Sequence, residues 1–142
     1  MATANAATTY LENKLLSLIF KNNAGSFSSP GNSIYVGLAT AVSDAEAGSL
    51  TEATFGSYAR QQVTAANWTL ASSSTDQQTI KNAANIEFPA STGTTNTVTH
   101  AFIVDAASSG NILFIGALDA SKTIATGDIF RINTNNLIIE LK

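Results

Sequence analysis

The feature that most constrains this chain is a run of apolar residues recurring with a period of two, repeated on either side of a short polar break. "TVTHAFIVDA" (97–106) and "NILFIGALDA" (111–120) read as two strands. "ASSG" (107–110) between them reads as a hairpin turn, with Gly110 available for positive φ. A strand pair of this strength commits the chain to a β architecture. The same stretch holds the only histidine, His100, with Asp105 five residues later and Ser108 and Ser109 just beyond. A hydrolase reading therefore has to be weighed. With period two, Val98, His100, Phe102 and Val104 share one strand face, while Thr99, Ala101, Ile103 and Asp105 share the other. His100 and Asp105 then point apart, separated by roughly 15 Å or more, and cannot form the base–orienter pair of a triad. No G-x-S-x-G is present, and the two serines sit where a turn wants small polar residues. His100 is expected to be structural, and the protein is expected not to be an enzyme.

Elsewhere the pattern points the same way. "TTYLENKLLSLIF" is the one clear helix, about 9–21: Thr9 and Glu12 have capping-box spacing, and Leu11, Leu15, Leu18 and Ile19 make an apolar stripe that Leu16 and Phe20 widen. "KNNAGSFSSPG" ends it. "NSIYVGLAT", "YARQQVT", "NWTLA", "NIEFPA", "KTIATGDIFRIN" and "NNLIIELK" read as further strands. "SDAEAGSLTEATFGS" and "STGTTN" read as loops, and "SSSTDQQ" as a turn cluster. The expected fold is mainly β: an antiparallel β-sandwich of about eight strands with one N-terminal helix. It would form a single domain over 1–142, with the sandwich at about 33–142.

Composition narrows the function classes. Charged residues are only 12% of the 142, against the usual share of about 25%. In their place stand 18 Thr, 15 Ser, 13 Asn and 23 Ala. Surfaces built from these need little charge desolvated on contact with another protein. The net charge of −3 and the scattered Lys and Arg leave no basic field, so no nucleic-acid partner is expected. No run of about 18 apolar residues suggests a membrane partner, and the N-terminus lacks a signal-peptide pattern. Without cysteine there is no disulfide or thiolate chemistry. One histidine with scattered carboxylates makes no transition-metal site. Asp44, Glu46 and Glu52 read as a solvated acidic loop, not as a Ca²⁺ loop. No cofactor is expected. Tyr58 and Arg60 on one strand face suggest an ion-pair or cation–aromatic role, and Trp68 reads as core before it reads as a sugar platform.

In order along most of the chain, from Tyr10 to Leu141, the sequence resembles a family of small structural proteins of tailed bacteriophages, several labelled as tail-fibre proteins. The resemblance is carried by "YLENKLLSLIF", "IYVGLAT", "LTEATFGSYARQQV", Trp68, "IKNAANIEFPAST", "VTHAFIVDAASSGNILFIGAL", "TGDIF" and "LIIEL". It implies a non-enzymatic virion component, made in the host cytoplasm and built as a jelly-roll-like sandwich. Two placements follow. The first expectation is a capsid decoration or cement protein, trimeric, whose partners are the major capsid protein and its own copies. The alternative is a tail-associated fibre or adhesion subunit that contacts the host. Compact size without a stalk or coiled coil favours the first. Contact is expected through Tyr10, Leu11, Leu15, Leu18 and Ile19 of the helix, through Phe55, Tyr58 and Trp68, and through loops 43–57 and 90–97.

Overall fold

The computed structural model describes residues 5–23, 30–71 and 79–141. In chain order the elements are β1 (Ala6–Ala7), α1 (Thr9–Phe20), β2 (Tyr35–Asp44), β3 (Ser49–Glu52), β4 (Gln61–Gln62), β5 (Trp68–Leu70), β6 (Thr79–Asn82), β7 (Ile86–Glu87), β8 (Asn96–Val104), β9 (Ile112–Ile124), β10 (Arg131–Ile132) and β11 (Ile138–Glu140). Every strand pairing is antiparallel. The main sheet runs β1-β9-β8-β2-β3, with β4 paired to the start of β2. A β11-β6-β5 sheet and the β10-β7 pair complete a sandwich-like, mainly β fold with one α-helix. The "SSSTDQQ" turn and residues 24–29 of the helix-ending stretch lie outside the described residues.

The strong hairpin forms as its alternation predicts. β8 and β9 pair along Phe102↔Ile115 and Ile103↔Phe114, and β8 pairs with β2 through Gly37↔Phe102. The sheet is buried on both faces. Val36, Leu38, Ala101, Ile103 and Leu113 face Phe55, Val63, Ile86, Phe88 and Ile132, and Leu11 of the helix joins that core. Ala39, Phe102, Val104 and Ile115 form a second cluster with Ala45. Phe55, Phe88 and Phe102 are at most 2% exposed, a burial worth about 2–3 kcal/mol each before conformational entropy is charged against it.

Strict alternation fails near the start of β8. The register slips between Val98 and His100, where Val98 pairs with Lys122 and His100 with Ala117. This bulge turns Val98 over, so it joins Ala101 and Ile103 in the larger core rather than Phe102 and Val104. Thr99 at the bulge places its hydroxyl 3.2 Å from the Thr40 carbonyl, opposite a second register shift in β2.

Three short strands were not expected. β3 lies in the stretch read as a polar loop. Its hairpin with β2 pairs Val42 with Leu50, both packed against the second cluster, and adds small polar contacts, Thr40 Oγ1 donating to Thr51 O and Ser43 Oγ bonding Ser49 Oγ at 2.7 Å. β1 is only two residues long, and β6 lacks a period-two pattern.

The helix differs in two details. Its N-cap is Thr8, whose Oγ1 accepts from Leu11 N at 3.4 Å. The third residue on from the cap is thus Leu11 and not Glu12, so no reciprocal carboxylate bond closes a capping box. The apolar stripe is also split. Leu11, Leu15 and Leu18 fall within an arc of about 60° at 100° per residue, with Leu11 and Leu15 against the core, whereas Ile19 lies about 40° beyond the Leu15 edge of that arc. Ile19 is 66% exposed, beside Leu16 at 55% and Phe20 at 76%.

Candidate functional site

The densest polar constellation grows from "LTEATFGSYAR". Glu52 ends β3. Phe55 plunges into the core, and a turn closed by Tyr58 N donating to Phe55 O, with Ser57 at φ 68, returns the chain toward β4. Tyr58 and Arg60 thereby face Glu52. Arg60 grips the carboxylate with two parallel bonds, Nε to Oε1 and Nη2 to Oε2, both 2.8 Å. Tyr58 OH donates to Oε1 at 2.8 Å and accepts from Leu38 N at 3.0 Å. Arg60 Nη1 donates to the carbonyls of Ala106 and Ser109 at 3.0 and 2.7 Å, which pins the β8–β9 turn. Its guanidinium also lies over the Phe102 ring, 5.4 Å from the centroid.

Burial pushes the Glu52 carboxyl up, but the hydrogen bonds from Arg60 and Tyr58 and the Arg60 charge outweigh it and leave the pKa below the ordinary value. Burial foremost, helped by the Glu52 carboxylate, raises the Tyr58 phenol well above its usual range. Most donors and acceptors here are engaged inside the molecule, so the cluster acts as a brace. It also removes Glu52 from the acidic loop in which it was expected to be solvated. Asp44 Oδ1 accepts from Ala47 N, 3.1 Å away. Among the described residues, no three His, Asp or Glu side chains come together as metal ligands.

The His100 grouping is dispersed. Nδ1 of His100 lies 2.8 Å from Thr99 Oγ1, and desolvation lowers the imidazole pKa. Asp105 spends both oxygens on Asn111, accepting from its N at 2.7 Å and its Nδ2 at 3.0 Å. Ser109 sits in the turn at φ 53 and Gly110 at φ 78. A Cβ on Gly110 would meet Asp105 Oδ1 at 2.7 Å, so the turn requires glycine twice over.

The expected contact residues divide by burial. Leu11 and Phe55 are corrections: at 5% and 2% exposed they are core and cannot touch a partner in the folded chain. Tyr58 is half-buried in an aromatic row with Phe55, Phe88 and Phe130. Trp68 is half-buried, its indole N–H donating to Val63 O at 3.3 Å. Tyr10, Leu15 and Leu18 are half-buried on α1, and Ile19 alone of the expected set is largely exposed. Leu16 and Phe20 belong with Ile19 in an apolar patch on the last turns of the helix. The signal for them was present in the sequence: assigning the inward arc to Leu11, Leu15 and Leu18 leaves exactly this i, i+3, i+4 set outside.

Comparison with known proteins adds the remaining finding. A family described as podophage GP4 fiber I protein gp80 matches residues 6–140, which takes in the helix and every strand of the sandwich. No curated protein sequence matches the chain. With the match covering nearly its whole length, this chain belongs to the podophage GP4 fiber I protein gp80 family, a family of phage virion structural proteins.

Proposed function

We propose that this protein is a non-enzymatic, tail-associated fibre subunit of a podophage virion that helps contact the host surface. The single observation behind this reading is the family match over residues 6–140, whose description names a fibre. It favours the tail over the capsid-cement placement, and with that change the neighbours become tail proteins in place of the major capsid protein. The brace around Arg60 and the dispersed His100 group suit a rigid part that acts by binding and not by catalysis. Both arginines are engaged by carboxylates, Arg60 with Glu52 and Arg131 with Glu87. With the lysines scattered and a net charge of −3, no basic field suited to nucleic acid forms. Leu16, Ile19 and Phe20 are the residues through which the subunit packs against another virion protein or a further copy of itself, up to a homotrimer. Several weak contacts made at once by copies of one fibre raise the effective affinity by about 10²–10⁴.

Cryo-electron microscopy of virions labelled with a Fab against this chain tests the placement. Label at the tail, with a few dozen copies per particle, is the expected outcome. Label over the whole shell in hundreds of copies would return the protein to the cement role.

A further inference from the structure

A second grouping of polar side chains, apart from the Arg60 brace, lines a groove. An open groove of about 550 Å³ lies between the end of β9 and the segment leading through β10, lined by Lys122, Asp128, Ile129, Phe130, Arg131 and Asn133 among others. Its volume falls within the range of ligand sites, about 300–1,000 Å³. Lys122 is exposed, and its side-chain ammonium makes no hydrogen bond or ion pair among the described residues. Asn133 uses its backbone carbonyl for Asn82 Nδ2 and Asn136 N, while its side-chain amide has no partner among those residues. Asp128 is held in place by Oδ2, which accepts from Ala125 N at 2.9 Å, and its Oδ1 is unused. Ile129 is 53% exposed, and Phe130 is half-buried beside it.

A fixed carboxylate acceptor, an amide and an ammonium next to apolar side chains suit a ring carrying several hydroxyls. Adjacent hydroxyls can donate to Asp128 and accept from Asn133 and Lys122, while the C–H face of the ring rests on Ile129 and Phe130. Charge argues against an anionic ligand. Arg131 gives Nε and Nη2 to Glu87, Asp128 balances Lys122, and the chain carries a net −3.

We propose that this groove binds a neutral saccharide. The proposal deepens the fibre reading by naming the host-surface chemistry the subunit would touch, and for that setting it rests on that reading. Binding is measured on the isolated chain and placement on virions, so either can fail alone.

The test is amide NMR of the full chain titrated separately with trisaccharides of glucose, galactose and mannose to tens of millimolar. The expected result is that at least one sugar shifts amides confined to residues 122–133. Asn133→Ala is expected to weaken that binding roughly tenfold, the loss of about one well-placed hydrogen bond, with an unchanged Tm because the amide supports nothing in the fold. Asp128→Asn is expected to weaken binding as well. The proposal is overturned by any of three results: no shift with any of the three sugars, shifts centred elsewhere, or the same shifts produced by inorganic phosphate at lower concentration.

Discussion

Arg60 shows how one side chain can tie its own segment and Glu52 to a stretch more than forty residues downstream. It joins Glu52, the carbonyls of residues 106 and 109 and the Phe102 ring, with its own side chain only 9% exposed. Arg60→Ala is expected to destabilise the fold by about 2 kcal/mol, near the lower end for charged hydrogen bonds because Glu52 keeps access to solvent. That corresponds to a Tm lower by roughly 6 °C in a thermal melt. The pH dependence has a definite sign. Glu52 has a depressed pKa in the folded state, so its contribution is complete above the ordinary value of 4.5 and is lost as pH falls through the depressed value. Melts between about pH 3 and pH 7 are expected to show this acid loss in the native chain. Arg60→Ala is expected to flatten it, because the burial that opposes ionisation remains. The same Phe102 ring lies against Gly37, where an added Cβ would come within 2.3 Å of Cζ. Gly37→Ala is expected to cost about 2–3 kcal/mol, and combining it with Phe102→Leu should cost less than the two changes summed, as measured in a urea double-mutant cycle. The pairing of Tyr58 with Arg60 was legible as i, i+2 residues on one strand. Their shared partner Glu52 was not, because a carboxylate six residues upstream of Tyr58 reaches it only after a turn that local pattern does not encode.

At the level of elements, the hairpin, the helix and most strands were legible, because period two and period 3.6 over long apolar runs are hard to mistake. The misses have physical causes. β3 carries Leu50 as its one apolar residue among serine, threonine and glutamate, so its sequence reads as loop. The bulge at Thr99 breaks the parity on which the face assignment of Val98 depended. The helix starts where expected, but its cap is Thr8 and not Thr9, because Thr8 has a second task, its Oγ1 donating to Ile112 O at 2.6 Å while its backbone N donates to Leu113 O. Thr8→Ala removes the cap and leaves the half-buried Ile112 carbonyl without that donor. A loss of about 1–2 kcal/mol is expected in chemical denaturation, whereas Thr9→Ala, at an exposed position, should be nearly silent.

Over the whole molecule, the sandwich-like fold and the virion family were both within reach of the sequence, the second through the ordered set of short motifs from Tyr10 to Leu141. The choice between shell and tail was not, since compactness alone does not distinguish them. Nor was the groove beside β10, whose lining comes from residues brought together only by the turn at 125–128. The apolar end of α1 gives a prediction at this scale. Ile19→Glu with Phe20→Ser should leave Tm within about 2 °C of the native value, because both residues are exposed. The same pair should lower self-association in analytical ultracentrifugation or incorporation into virions. The bonds from Thr8 to Ile112 and Leu113 also set the order in which the protein can be made. The first strand and the helix cap find their partners about a hundred residues downstream, so a nascent chain must extend well past residue 113 before its beginning can settle. Ribosome-bound fragments ending before β9 should therefore stay protease-sensitive, and folding should complete late and slowly, as expected where contacts join distant parts of the sequence.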